Sequence, residues 1–345
     1  MTERSEVALR SLRSIKPQRV RLGGEPLVRK DYFEPDQKLP LVICPVRTDI
    51  DPVEWARNNL REIEADLVKH GALLFRDFPL RSRIDFESFI KAISPKLMEY
   101  TERSTPRSKI AAGIYTSSEY PADQHIPLHN ENSYSHTWPR KIYFFCVEPA
   151  RAGGATPLAD SRKVYEVIDK RVRDRFMEKG VMYVRNYRRD LDLPWQTVFQ
   201  TSDHAEVERY CAKVGMHCDW TDHDSLRTTQ VRQAIAFHPV SKEKVWFNQA
   251  HLFHVSSLER NLSESMSALY GQEELPRNSY YGDGTPIEAS ALDEIRRAYS
   301  KLASNSRWQE GDLVLVDNML TAHGRTPYQG SRRVLVAMAD PFQQS

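Results

Sequence analysis

Residues 308–340 read WQEGDLVLVDNMLTAHGRTPYQGSRRVLVAMAD. Two short apolar runs stand in this stretch, Leu313 to Asp317 and Arg333 to Ala339. Both are rich in Val and Leu, side chains that suit a pleated, buried surface, so both read as strands. Lys141 to Glu148 (KIYFFCVE) is a third and still more apolar strand. Ala72 to Arg76, Val181 to Arg185, Gln230 to Phe237 and Lys244 to Phe247 add further short ones. Helical spacing intervenes irregularly. Asp51 to His70 repeats Val53, Ala56, Leu60, Ile63 and Leu67, with Asp51 and Glu54 as a capping box and Gly71 as the stop. Ile84 to Ile93, Asp160 to Lys179, Asp203 to Val214 and Asp293 to Leu302 are the other helices. Regular β-α alternation is absent, which argues against a doubly wound parallel sheet. A mostly β chain with a jelly-roll core and helices packed outside it fits better. Residues 185–230 are charged and weakly periodic, as an insertion or lid over a site would be.

The 345 residues carry a formal net charge of +2, with 40% hydrophobic and 28% charged side chains. That balance is ordinary for a globular protein and implies no nucleic-acid partner. The first 25 residues hold Arg4, Arg10, Arg13, Lys16, Arg19 and Arg21 against Glu3, Glu6 and Glu25, and they read as a solvated arm. No apolar run follows that would make a secretory signal or a membrane span, so a soluble, cytoplasmic protein is expected. Four scattered cysteines make no disulfide framework.

The chemistry concentrates in Leu128-His129-Asn130-Glu131. On an extended segment, side chains two apart share a face, so His129 and Glu131 can hold one ion. His323 follows the Leu313 strand, in what reads as a loop from Asn318 to Arg325. Two histidines and one carboxylate on one face of an octahedral ion leave positions open, the arrangement of non-haem Fe(II) oxygenases. Those positions suit a bidentate 2-oxo acid and then O2. Arg332 and Arg333 come about ten residues later. A planar guanidinium matches the distal carboxylate of 2-oxoglutarate, and Thr156, after Gly153-Gly154, can add a hydroxyl.

The order His-x-Glu, Gly-Gly-x-Thr, distal His and Arg-Arg resembles the taurine dioxygenase (TauD/TfdA-like) superfamily, and within it the SyrP-like amino-acyl hydroxylases of nonribosomal peptide pathways. The stretches that carry the resemblance are PLHNENSYSHTWPRKIYFFC, GGATPLADSRKVYEVI, VWFNQAHLFH, YYGDGTPI and residues 308–340, within roughly residues 70–340. The resemblance implies a double-stranded β-helix of the clavaminate synthase-like kind. It makes His129, Glu131 and His323 the iron ligands, and Thr156 and Arg333 the residues that hold 2-oxoglutarate. The chain is expected to divide into an N-terminal arm over 1–40 and one oxygenase domain over 41–345, with the lid-like insertion at about 185–230. Halogenating relatives keep the carboxylate position small, so Glu131 argues for hydroxylation. Relatives acting on free amino acids carry an arginine four residues after the one that holds 2-oxoglutarate; here that position is Ala337. The missing clamp favours a substrate whose carboxylate is masked, such as an amino-acyl thioester on a peptidyl carrier protein in antibiotic biosynthesis, with β-hydroxylation of an aspartyl group preferred. A free amino acid is the alternative substrate. A cupin-type metal protein or isomerase without 2-oxoglutarate is the alternative class, and it has no use for Thr156 and Arg333.

Other groups invite rival readings. His251 and His254, three apart, read as buried or pocket-lining residues rather than ligands. Cys211, His217, Cys218 and His223 do not match the short spacings of a structural zinc site. His125 and His136 read as packing residues, and Asp317 and Asn318 as residues that order the His323 segment. Trp246 and Asn248 are candidate pocket walls, and Asp283 a turn former.

Overall fold

Side chains alternate along the central strands, and the alternation sorts them onto two cores. On Arg333–Phe342, Val334, Val336 and Met338 face one way, while Leu335, Ala337 and Ala339 face the other. The computed structural model describes residues 26–34, 37–99, 107–187, 193–221, 225–271 and 273–343. Among these, a nine-stranded sheet sets Val28–Asp31, Leu41–Pro45, Ala72–Phe75, Leu313–Asp317, Trp138–Glu148, Arg333–Phe342, Ile114–Thr116 and Lys109–Ala111 side by side in that order. Leu97–Met98 pairs off the Arg333–Phe342 strand. A second, three-stranded sheet places Thr321–Arg325 between Leu158–Asp160 and Ile126–His129.

The inner core lies between these sheets and contains Ile142, Phe144, Cys146, Leu158, Val314, Val316, Val334, Val336 and Met338. The outer face of the large sheet packs Tyr143, Phe145, Leu313, Leu315 and Leu335 against Trp55, Ile63, Leu67, Phe86 and Phe89 of the helices Pro52–Asn58, Leu60–His70 and Arg83–Ile93. Each fully buried aliphatic or aromatic side chain contributes roughly 1.5–3 kcal/mol, which makes this double burial the main force holding the scaffold. This is the jelly-roll core with external helices that the strand pattern anticipates.

Two expected helices are each broken in two. Asn59 leaves helical geometry (φ −113°, ψ 16°) and its Nδ2 donates to Trp55 O at 2.8 Å, which ends Pro52–Asn58 and starts Leu60–His70. Ile168 turns extended and is fully buried, and Asp169 caps a fresh helix, so Asp160 to Lys179 becomes Ser161–Val167 and Lys170–Lys179. The described residues of the 185–230 stretch form regular elements. His217–Trp220, Leu226–Arg232, Val181–Tyr187 and Arg277–Tyr281 form an antiparallel sheet, and helices Trp195–Phe199 and His204–Val214 pack with it around Tyr187, Trp195, Val207, Cys211 and Leu226. The basic run of residues 1–25 lies outside the described residues, while Val28–Asp31 already pairs with Leu41–Pro45 inside the stretch assigned to an arm. Among the described residues no helix is long and apolar enough to cross a membrane.

Candidate metal centre and co-substrate pocket

His323 stands opposite His129 because Thr321–Arg325 pairs antiparallel with Ile126–His129. It therefore lies on a strand, not in a loop as the sequence suggests, and cross-strand register fixes its position. The two imidazole rings are 4.6 Å apart. Glu131 follows His129 in the first turn of the chain beyond the strand. One donor atom from each of His129, Glu131 and His323 lies within 4.8 Å of the others, the one such cluster among the described residues.

The backbone around Glu131 is gripped from two sides. Asn318 Oδ1 accepts from Glu131 N at 2.7 Å, and Asn318 Nδ2 donates to Glu131 O and Pro139 O, both at 2.9 Å. From the other side Gln249 Nε2 donates to Asn130 O at 2.8 Å, and His251 Nε2 lies 3.0 Å from Leu128 O. Asp317 Oδ1 accepts from Met319 N and Leu320 N, and its Oδ2 meets His238 Nε2 at 3.0 Å. Ser241 N donates to His238 Nδ1, which puts the ring proton on Nε2, toward Asp317. Apart from Ser241, which is half-buried, every group in this frame is buried, so few of its hydrogen bonds compete with water.

The protonation states suit a cation. A carbonyl oxygen can only accept, so the 2.8 Å contact of His129 Nδ1 with Pro127 O places the proton on Nδ1 and the lone pair on Nε2. Burial, and then the charge of His323, push His129 down to about 4, so its ring is neutral at neutral pH. Burial alone would raise the Glu131 carboxyl, but Arg107, His323 and His129 more than offset that and hold it well below the usual carboxylate range. Arg107 Nη2 donates to Glu131 Oε2 at 2.7 Å, and both side chains are nearly out of water. Neutral imidazoles and an ionised carboxylate are the forms a divalent metal binds. The donor set therefore fits Fe(II).

The arginine pair is reversed from the sequence expectation. Arg333 is exposed and does not point into the barrel beside Thr156. Counting back by two from the inward Val334 gives Arg332, and the ladder skips a residue between Arg333 and Val334. Arg332 Nε donates to Gly154 O at 3.0 Å and Nη1 to Ser117 Oγ at 3.3 Å. Burial, and then the charge of Arg325, push its pKa down to about 10, still cationic at neutral pH. No acid pairs with it among the described residues. Thr156 is 5% exposed, and its Oγ1 accepts from Trp308 Nε1 at 3.1 Å, which keeps the hydroxyl proton available. The two glycines before it are required by space as well as by their positive φ: a Cβ on Gly153 would sit 2.1 Å from Pro327 O. Ala337 is also corrected. It lies on the outer face against Tyr143, where an arginine would meet the helices; the inward residue four after Arg332 is Val336.

The remaining candidates do not assemble a second centre. His251 is buried and His254 bonds Ser256, with no shared ligand position. Cys211 lies near the Met216 sulfur, and His223 lies outside the described residues. Trp246 and Asn248 are fully buried in the scaffold, Asn248 donating to Ala234 O. Asp283 makes its turn by accepting from Thr285. Nothing local in the sequence marks Arg107, because it reaches Glu131 only through the tertiary fold.

Residues 36–339 match the model of the taurine catabolism dioxygenase TauD, TfdA family. The chain is 41% identical over 283 residues to the dapdiamide synthesis protein DdaC of Enterobacter agglomerans, covering 82% of this chain and 86% of that one. It is 29% identical over 337 residues to a clavaminate synthase-like protein of Arabidopsis thaliana, covering 91% and 97%. Its fold is similar to that of PvcB from Pseudomonas aeruginosa, an Fe, alpha-ketoglutarate dependent oxygenase from an isonitrile synthetic pathway (TM-score 0.53, 15% identity, 92% of each chain). It is also similar to AAD-2 in complex with Mn(II) and N-oxalylglycine (TM-score 0.52, 14% identity, 90% and 96%). The chain belongs to the TauD, TfdA family and is a non-haem Fe(II), 2-oxoglutarate-dependent dioxygenase.

Proposed function

We propose that this oxygenase hydroxylates an unactivated C–H bond of an amino-acyl group in secondary-metabolite biosynthesis, with the β-carbon of an aspartyl thioester on a peptidyl carrier protein as the favoured target. The observation that carries the site assignment is three convergent donors, together with a half-buried guanidinium, Arg332, that has no acidic partner among the described residues. His129, Glu131 and His323 would hold the iron. Arg332, rather than Arg333, would take the distal carboxylate of 2-oxoglutarate, and Thr156 would add its hydroxyl proton. Iron and 2-oxoglutarate together supply the oxidising power that converts O2 and a C–H bond to C–OH, with succinate and CO2 as co-products. The chain's own part is to orient the donors, keep the His129 imidazole and the Glu131 carboxylate in binding form, and exclude water with groups such as Phe144, whose ring lies 5.0 Å from that of His323.

Two observations support the substrate class. DdaC, by its name, serves dapdiamide synthesis, and PvcB serves an isonitrile pathway. Val336 leaves the inward face of its strand apolar where a carboxylate clamp would stand, which suits a masked carboxylate. Succinate release, followed with product mass across free and carrier-bound amino acids, tests the reading. A product 16 mass units heavier (one oxygen atom) on an aspartyl-carrier thioester, with equimolar succinate, is expected. Turnover of free amino acids alone would move the assignment to a free amino acid hydroxylase.

A further inference from the structure

Two guanidiniums share the ring of Tyr328. That of Arg325 lies 5.1 Å from the ring centre and that of Arg332 5.6 Å from it. At such distances the ring quadrupole attracts a cation. The two arginines are held differently. Arg325, two residues past His323, is buried and donates to the main-chain carbonyls of Ser118, Tyr120, Pro121 and Gln124. Those carbonyls follow directly on Ser117, whose hydroxyl accepts from Arg332 at 3.3 Å. The backbone of Tyr328 ties the same parts together. Its N donates to Ala122 O at 2.8 Å, and Tyr328 pairs with Gly153 in the turn that leads to Thr156. Tyr328 is thus joined to both groups assigned to the distal carboxylate, with Arg325 as the fixed point behind it.

We infer that Tyr328, braced by Arg325, is a positioning residue for 2-oxoglutarate: its ring holds the Arg332 guanidinium in place before the distal carboxylate arrives. This deepens the proposed function and rests on its assignment of Arg332. An arginine is long and rich in rotamers, and freedom lost at the moment of binding weakens affinity. The ring and the Ser117 hydroxyl remove that freedom beforehand.

The test is equilibrium binding by calorimetry, without oxygen, on protein loaded with Mn(II). Two ligands are compared: 2-oxoglutarate, and pyruvate, which has the same chelating end and no distal carboxylate. Tyr328→Leu should weaken 2-oxoglutarate about 3- to 30-fold, the span of a cation–π contact, and leave pyruvate and Mn(II) binding unchanged. Tyr328→Phe, which keeps the ring, should bind both ligands as wild type does. Arg325→Gln should weaken 2-oxoglutarate in the same way. It also strands four carbonyls, so a thermal melt is read beside it and the Tyr328 variants decide. On an Arg332→Ala background, Tyr328→Leu should cost nothing further. No loss in Tyr328→Leu, an equal loss of both ligands, or a full further loss on the Arg332→Ala background overturns the inference. Arg332→Ala alone keeps the two readings apart. Unchanged 2-oxoglutarate binding there overturns the assignment of Arg332 and this inference with it, whereas a loss there beside an unaffected Tyr328→Leu overturns this inference alone.

Discussion

Asn318 closes its side-chain amide on both polar groups of the Glu131 backbone, accepting from N at 2.7 Å and donating to O at 2.9 Å. One amide thereby ties the Leu313–Asp317 end of the large sheet to the turn that presents the carboxylate, five residues before His323. Asn318→Ala leaves a buried N–H and C=O without partners, at a cost of about 1–3 kcal/mol. It is expected to weaken metal binding about 10- to 100-fold, the usual effect of removing a group that orients a ligand. Anaerobic titration with Mn(II), alongside a thermal melt, separates the two effects.

The register of the arginine pair makes the sharpest contrast. Arg332→Ala should raise the 2-oxoglutarate concentration for half-maximal rate by tenfold or more, since a charged hydrogen bond carries about 1.5–3 kcal/mol. Arg333→Ala, at an exposed position, should change it little. Equal effects, or a larger effect of Arg333→Ala, would restore the sequence-based assignment.

Gly153 holds the turn that leads to Thr156. At φ +71°, with Pro327 O where a Cβ would lie, Gly153→Ala must push the turn away from the Thr321–Arg325 side. A loss of roughly 1–3 kcal/mol in stability is expected, in line with a strained backbone conformation. A raised 2-oxoglutarate requirement should accompany it, because Thr156 moves with the turn. Urea unfolding and steady-state kinetics check both.

Arg76, half-buried, and Asp312, fully buried, form the ion pair that fastens Ala72–Phe75 beside Leu313–Asp317, with Nε–Oδ1 at 2.9 Å and Nη2–Oδ2 at 2.6 Å. Asp312 is 1% exposed, and burial already raises its carboxyl above the ordinary value despite the opposing effect of Arg76. Arg76→Ala removes the offset, so about 3–5 kcal/mol of stability should be lost at neutral pH. A raised folded-state pKa means the folded form holds the proton longer, so stability falls as pH rises through that value. The defect should therefore be smaller at pH 5 than at pH 8, as denaturation curves at the two values would report.

Much of this was legible in the residues. His129 and Glu131 sit two apart before an apolar strand, and His323 follows another, so the donors could be named without coordinates. The strands around Lys141 and Leu313 declared themselves by unbroken apolar runs, because both faces of that sheet are covered. The parity of Arg332 and Arg333 was not legible: a doubled arginine at a strand entrance has no pattern of its own, and a skipped pairing shifts the count. The outward position of Ala337 is hidden in the sequence for the same reason. Asn59 and Ile168 broke helices that periodicity ran together, because apolar spacing persists across a one-residue kink. Arg107 carried no local signal at all.

The convergence of His129, Glu131 and His323 on one ion is tested most directly by anomalous scattering at the iron edge. Crystals grown without oxygen, with Fe(II) and 2-oxoglutarate, are the material. A single peak is expected, at about 2.0–2.2 Å from one atom of each of the three side chains, by analogy with the distances of zinc sites. A peak elsewhere, or one that any of the three side chains does not reach, would contradict the assignment.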